Sequence, residues 1–147
     1  MRLSEYLCPA CIVAELKATD KEQVLLELAA AAAGAHLDKN AVHAVLLERE
    51  RHGTTAVGNG YAIPHGKLPG LDRMVLTFAR SVAGVDFAAP DTVPCRFFFT
   101  VIAPAGAAGQ HLGLLGSIAR LAKDATFTNR LTQAKTAEDL LDFLAGA

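Results

Sequence analysis

The segment Arg96–Ala103, RFFFTVIA in one-letter code, decides the fold of this 147-residue chain. Its aromatic and β-branched residues form an almost continuous apolar run, which is typical of a strand covered on both faces. A strand of that kind lies in the middle of a sheet. We therefore expect the rest of the chain to supply further strands and the helices that cover them.

The remaining elements follow from periodicity and capping signals. Predicted strands cover residues 12–16, 61–63, 74–80 and 85–87. Predicted helices cover residues 19–33, 38–51, 111–123, 125–133 and 136–144. Thr19 begins a capping box in the first helix, and Gly34 is its expected terminator. The order of one strand, two helices, several strands and three helices, without repeat or linker, predicts one α/β domain over residues 1–147.

The composition excludes several classes of function. Hydrophobic residues make up 52% of the chain, and 14 basic side chains face 15 acidic ones for a net charge of −1. Without a polybasic run, nucleic acid is not an expected partner. No stretch approaches the ~20 apolar residues of a membrane span, since Glu27 interrupts the apolar run from residue 24 to residue 35, and Glu5 argues against a signal peptide at the start of the chain. We expect a soluble cytoplasmic protein with no direct membrane insertion.

The three cysteines, Cys8, Cys11 and Cys95, are an odd number in a chain large enough to form a core without disulfides. A reducing compartment is therefore expected. Cys8 and Cys11 have the C-x-x-C spacing of redox and zinc sites, but neither a second pair nor suitably spaced histidines accompany them. We interpret them as ordinary apolar or surface cysteines and leave a redox role open.

His65 is the strongest candidate for chemistry, because it lies in the segment Ala62–Lys67, AIPHGK. Pro64 fixes its own φ and favours extended Ile63, while Gly66 has no Cβ and lets another surface approach the ring. A histidine placed in this way after a strand is presented rather than buried. The pattern alone is compatible with a base, a ligand or a nucleophile.

The absence of other recognisable motifs narrows the possible roles of His65. The chain has no metal-binding frame, no phosphate-binding glycine loop and no marked serine or cysteine nucleophile. Neutral imidazole is itself a nucleophile toward phosphorus, and the product needs donors around its oxygens. His111, at a predicted helix start, and Arg49 are of the right types. Position at a helix end alone, however, favours a solvated Arg49.

The segments Leu47–Glu50, Gly53–Thr55, Gly58–Leu68 and Gln110–Leu115 closely resemble one family, the enzyme IIA domain of the fructose/mannitol class. This domain belongs to the bacterial phosphoenolpyruvate-dependent sugar phosphotransferase system and includes a nitrogen-regulatory branch. The resemblance implies a three-layer α/β/α sandwich with a central mixed sheet. It also implies that His65 accepts a phosphoryl group while His111 and Arg49 flank it, with no cofactor or metal.

The resemblance further implies a donor, HPr or its nitrogen-branch counterpart, and a downstream regulatory target or IIB domain. Because no HPr-like, IIB or membrane segment is fused within the 147 residues, we expect a nitrogen-regulatory enzyme IIA acting in trans. The first alternative is a sugar-specific enzyme IIA that feeds a separate IIB component. The second is an interaction module whose histidine is never phosphorylated.

Overall fold

The computed structural model describes residues 1–147 and contains a six-stranded mixed sheet. Its strands are β1 (Leu7–Val13), β2 (Ala56–Gly58), β3 (Tyr61–Ala62), β4 (His65–Lys67), β5 (Val75–Val85) and β6 (Cys95–Ala103). They lie in the order β1-β5-β6-β3-β2, and β4 pairs with β6. β6 is antiparallel to β5 and parallel to β3 and β4. The prediction that residues 96–103 form the central strand is confirmed.

Five α-helices cover this sheet in two layers, one on each face. They are α1 (Lys21–Ala32), α2 (Lys39–Arg51), α3 (Ala108–Leu121), α4 (Ala125–Gln133) and α5 (Ala137–Ala145). Phe98 and Ile102 of β6 share a core with α1 and α2. Phe97 and Phe99 share a second core with α3, α4 and α5. Alternate side chains of one strand thus enter two cores, as the pleat requires. The three-layer α/β/α architecture is confirmed.

The start of the chain differs from the prediction. β1 begins at Leu7 rather than residue 12 and therefore contains Pro9, which an edge strand tolerates because its N–H is not needed there. The N-cap of α1 is Asp20, whose side chain accepts from Gln23 N at 2.8 Å, and not Thr19. Asp20 and Gln23 repeat the capping spacing one residue later, which the sequence pattern did not distinguish.

The connection between α1 and α2 also differs from the prediction. His36, in the left-handed conformation with φ 63°, follows a short 3-10 turn at Ala33–Ala35, so Gly34 is not the terminator. Gly34 is instead required by close packing, since a Cβ there would lie 2.5 Å from the Ala10 carbonyl oxygen. α2 behaves as predicted, with Asp38 capping Ala41 N at 3.1 Å.

Two further boundaries shifted. Residues 85–87 do not form a separate strand, because Val85 pairs with Cys95 and ends β5 beyond a register shift. α3 starts at Ala108 instead of residue 111, and its N-cap Ala107 makes no side-chain hydrogen bond that a sequence pattern could reveal. α4 and the Thr136-capped α5 agree with the prediction. None of the helices is both long and apolar enough to cross a membrane.

Candidate functional site

His65 opens β4 and is held in one orientation by the backbone before it. β4 runs parallel to β6, with His65 opposite Val101, and Nδ1 lies 2.7 Å from the Ile63 carbonyl oxygen. A carbonyl can only accept, so Nδ1 carries the proton and Nε2 carries the lone pair. The ring is partly buried. The histidine that the sequence predicts to be presented after a strand is thus in place, and the lone pair on its Nε2 makes this atom the candidate nucleophile.

Arg49 reaches His65 from the last turn of α2. Its Nε donates to His65 Nε2 at 3.3 Å, and its Nη1 donates to the Gly53 carbonyl oxygen at 2.8 Å. The guanidinium is partly buried against the site, so the solvated interpretation based on helix-end position alone is wrong. Gly66 permits this approach, since a Cβ there would lie 2.9 Å from Val45 Cγ2 of α2.

His111 completes the group from the first turn of α3. Its ring meets that of His65 edge-on, with centroids 5.2 Å apart and an interplanar angle of 71°. The residue is buried, and its Nε2 has no hydrogen-bond partner. Buried polar atoms are rarely left unpaired, which marks this nitrogen as a group available to a ligand. All three predicted residues therefore meet at one place.

The surroundings keep both imidazoles neutral. Burial is the main cause that lowers the pKa of His65, and Arg49 lowers it further, while the hydrogen bond to Ile63 and the charge of Glu50 act in the opposite sense. Burial also lowers the pKa of His111, assisted by His65 and Lys67. At neutral pH the lone pair on His65 Nε2 is therefore free of a proton.

A shallow depression of about 350 Å³ opens beside these residues. Its walls come from the end of α2, the segment before β4 and the outer face of α3: Arg49, Thr54, Thr55, Val57, Ile63, His65, Leu112, Leu115, Gly116 and Ala119. Val57 and Leu112 are 45% and 70% exposed at its rim. An exposed apolar rim around reactive polar atoms suits a protein surface more than a small molecule.

Sequence reasoning missed Glu50, which supports the site from behind. Its buried carboxylate accepts from Thr55 N at 2.9 Å and from Thr55 Oγ1 at 2.5 Å. The Thr55 carbonyl oxygen accepts from Ile63 N at 2.9 Å, and Ile63 in turn holds His65. A signal was available, because Glu50 continues the buried Val42 and Leu46 stripe of α2 at four-residue spacing.

Comparison with known proteins assigns this chain to the phosphoryl-carrying components of the sugar phosphotransferase system. The family model described as "Phosphoenolpyruvate-dependent sugar phosphotransferase system, EIIA 2" matches residues 5–147. The chain belongs to this EIIA type 2 family of phosphocarriers, as the resemblance implied.

The relatives with names include both nitrogen regulatory proteins and a sugar-specific component. A "Nitrogen regulatory protein" of Bradyrhizobium diazoefficiens is 42% identical, over 99% of this chain and 95% of its own length. The "PTS system fructose-specific EIIA component" of Haloferax volcanii is 36% identical, over 84% and 79%. The crystal structure of nitrogen regulatory protein IIA-Ntr from Neisseria meningitidis superposes with a TM-score of 0.88 at 29% identity, covering 97% and 98% of the two chains.

Proposed function

We propose that His65 is the phosphoryl acceptor of this phosphocarrier and that residues 1–147 act as one cytoplasmic domain of the nitrogen-regulatory type. The donor is HPr or its nitrogen-branch counterpart, and the recipient of the signal is a regulatory target protein. The observation that carries the proposal is the convergence of Arg49 and His111 on a His65 ring whose Nε2 carries no proton and faces the Arg49 guanidinium.

The transfer step needs no acid or base beyond the imidazole of His65 and the imidazole of the carrier's phosphohistidine. The lone pair of His65 Nε2 attacks the phosphorus in line with the carrier's phosphohistidine, and the N–P bond of the carrier breaks with its electron pair returning to the carrier ring. The Nδ1 proton of His65 stays in its hydrogen bond to the Ile63 carbonyl. Catalysis then rests on positioning and on charge stabilisation.

Arg49 and His111 are proposed to receive the phosphoryl oxygens. The Arg49 Nε now points at the nitrogen that would carry phosphorus, so a small displacement places it beside a phosphoryl oxygen. The unpartnered Nε2 of His111 is the second donor, once it carries the ring proton. Lys67, two residues from His65 along β4, adds positive charge on the same side of the strand.

The nitrogen-regulatory assignment is supported by the names of the Bradyrhizobium and Neisseria proteins and by coverage of nearly their whole lengths. A phosphoryl group at His65 adds close to two negative charges next to the apolar rim, so the phosphorylated and free forms present different surfaces to a partner. The Haloferax fructose-specific component supports the alternative, a sugar-specific enzyme IIA that passes phosphate to a separate IIB.

The decisive experiment incubates the purified protein with labelled phosphoenolpyruvate, enzyme I and either HPr or the nitrogen-branch carrier. We expect an acid-labile, alkali-stable phosphoryl adduct on the wild type and none on His65→Ala. His36→Ala, which changes a histidine at the end of the α1 helix region, is the matched control and should label normally. Labelling of His65→Ala at the wild-type rate would sink the assignment.

The same reaction separates the alternatives. Faster labelling by the nitrogen-branch carrier, with no onward transfer to fructose- or mannitol-type IIB, supports the regulatory function. Rapid onward transfer to IIB supports the sugar-specific function. No labelling by either carrier, with the protein folded, leaves the interaction module as the remaining alternative.

A further inference from the structure

The short strand β2 forms one edge of the sheet and contributes to one wall of the depression beside His65. It has three residues, it pairs with the two-residue strand β3, and this pairing is irregular between Ala56 and Gly58. Val57, which lies between these two residues, is exposed at the rim of the depression. A ladder this short holds a strand only weakly. The position of β2 therefore depends on what holds its two ends.

Both ends of β2 are hydrogen-bonded to the same segment, the β5–β6 connection of residues 86–94. Before β2, the Thr54 hydroxyl donates to the Phe87 carbonyl oxygen at 2.7 Å. After β2, the Asn59 backbone N–H donates to Asp91 Oδ2 at 2.9 Å. Phe87 is fully buried in the core that β6 shares with α1 and α2. Each end of β2 is thus held by a segment that is itself anchored in the core.

The β5–β6 connection and the turn that it contacts have backbone conformations that most residues avoid. Four residues other than glycine have a positive φ in this chain, and three of them lie here: Asn59 at 58°, Ala88 at 57° and Thr92 at 61°. Such a φ is especially unfavourable for a β-branched residue such as Thr92. Conformations of this kind persist where the surrounding structure imposes them, and they concentrate at functional sites. This observation favours a role for the connection beyond joining two strands.

The Thr54 end of β2 leads to Arg49. Arg49 Nη1 donates to the carbonyl oxygen of Gly53, the residue directly before Thr54, at 2.8 Å. Gly53 has φ 133°, and a Cβ there would have no neighbour within 4 Å, so side-chain packing does not hold this residue. Its carbonyl is therefore placed by the residues on either side of it. The hydrogen bond from Thr54 to Phe87 fixes one of these sides, and through it the guanidinium that lies beside His65.

The Asn59 end of β2 leads to the opposite wall of the depression. Asn59 Nδ2 donates to the carbonyl oxygen of Ala122, the C-cap of α3, at 3.3 Å. α3 supplies Leu112 and other apolar residues of that wall. Because Asn59 contacts both Asp91 and α3, the turn sets the spacing between Val57 and the α3 wall. Loss of the Asp91 contact should therefore alter the docking surface without moving the guanidinium.

We propose that the β5–β6 connection fixes the position of β2, and that Thr54 and Asp91 are positioning residues for phosphoryl transfer to His65. Thr54 positions Arg49 for the reaction. Asp91 positions Val57 and its wall of the depression for docking of the phosphocarrier. This inference rests on the proposed function and adds to it two residues that contact neither the phosphoryl group nor the His65 ring.

The test measures kcat and KM for transfer from phosphorylated HPr, or from the phosphorylated nitrogen-branch carrier if that labels faster, and titrates the His65 ring by NMR. Thr54→Val keeps the shape of the side chain and removes its hydroxyl. We expect kcat to fall about tenfold with KM unchanged, since a displacement of about 1 Å at a catalytic group can cost about 100-fold. The charge of Arg49 lowers the pKa of His65, so a displaced guanidinium should raise that pKa toward its ordinary value. Thr54→Ser keeps the hydroxyl and should restore both kcat and the pKa.

Asp91→Ala should give the complementary result. We expect KM to rise about 2–10-fold with kcat and the His65 pKa unchanged, because docking must order the loosened wall again. Asn59→Gly, which tolerates the positive φ but loses the contact to α3, should also raise KM. Asp142→Ala removes the same charge from an exposed position in α5 and is the matched control, with no change expected.

Three outcomes would overturn the proposal. They are wild-type kinetics in Thr54→Val or Asp91→Ala, the same combined change of kcat and KM in both variants, and a KM in Asp142→Ala as high as in Asp91→Ala. A wild-type protein that neither carrier labels would instead refute the proposed function. In that case the His65 titrations of Thr54→Val and Thr54→Ser, which need no carrier, still decide whether Thr54 positions Arg49.

Discussion

Glu50→Ala tests whether the buried carboxylate behind the site holds it together. The substitution removes the acceptor of both the Thr55 N–H and the Thr55 hydroxyl, in a place where the Glu50 side chain is only 4% exposed. A hydrogen bond to a charged group is worth about 1.5–3 kcal/mol, and a buried donor left alone carries a similar penalty. Lys21, 3.4 Å from Glu50, is 30% exposed and can return to water, so this ion pair adds little.

These contributions give an expected loss of about 2–4 kcal/mol in the free energy of unfolding, measured by urea denaturation. Because the free energy of unfolding of small domains is about 5–15 kcal/mol, the variant should still fold. Its phosphorylation should be slowed, since Thr55 holds Ile63 and Ile63 orients the His65 ring. The slowing should exceed what the small unfolded fraction explains.

A second measurement separates this role from general destabilisation. The charge of Glu50 raises the pKa of His65 against the effect of burial, so both Glu50→Ala and Glu50→Gln should lower that pKa further in an NMR titration of the ring. Glu48→Ala, an exposed change two residues away, is the control and should alter neither stability nor titration. Wild-type stability and an unchanged His65 titration in Glu50→Ala would refute the reasoning.

Three further predictions concern the residues around His65. Gly66→Ala should cost about 1–3 kcal/mol in unfolding free energy and slow labelling, because its Cβ would push Val45 and α2 away from the ring. Arg49→Lys should fold normally yet label at least about tenfold more slowly, since one ammonium cannot contact both the Gly53 carbonyl and the phosphoryl group; an unchanged rate removes Arg49 from the site. The pKa values of His65 and His111 are lower in the folded chain than in the unfolded chain. Below about pH 6.5 the unfolded chain therefore binds protons that the folded chain does not bind. Stability should therefore fall between pH 7 and pH 5 in urea titrations, and less steeply in His111→Asn.

The fold was predictable where local signals agree with tertiary packing. Arg96–Ala103 is within one residue of β6, because a run apolar on both faces can only lie between two layers. β1 was misplaced because Pro9 argues against a strand unless the strand is at an edge and bulged, and edge position depends on the sheet order. Strand order is a long-range property that no single stretch of this sequence contains.

In the site, too, the features set by local sequence were predictable and those set by long-range packing were not. His65 could be singled out because Pro64 and Gly66 act on its own backbone, whereas Arg49 was ambiguous because a helix end explains an arginine without any partner. The surface expected to approach Gly66 is α2 of the same chain, through Val45, and this packing is what turns Arg49 toward the ring. Local pattern therefore singles out the candidate histidine but leaves open whether Arg49 contacts it.

The hydrogen bonding around His65 is the structural observation that most favours the proposed phosphoryl group. In the free protein Arg49 Nε donates to a nitrogen lone pair at 3.3 Å, a long contact, and His111 Nε2 has no partner at all. Each arrangement costs stability if the site never holds negative charge, because buried donors are normally satisfied. A phosphoryl group on Nε2 would supply acceptor oxygens to both at once. The incomplete hydrogen bonding of the free protein is therefore the structural argument for phosphorylation at His65, and it is lost if His111→Ala and Arg49→Ala label at the wild-type rate.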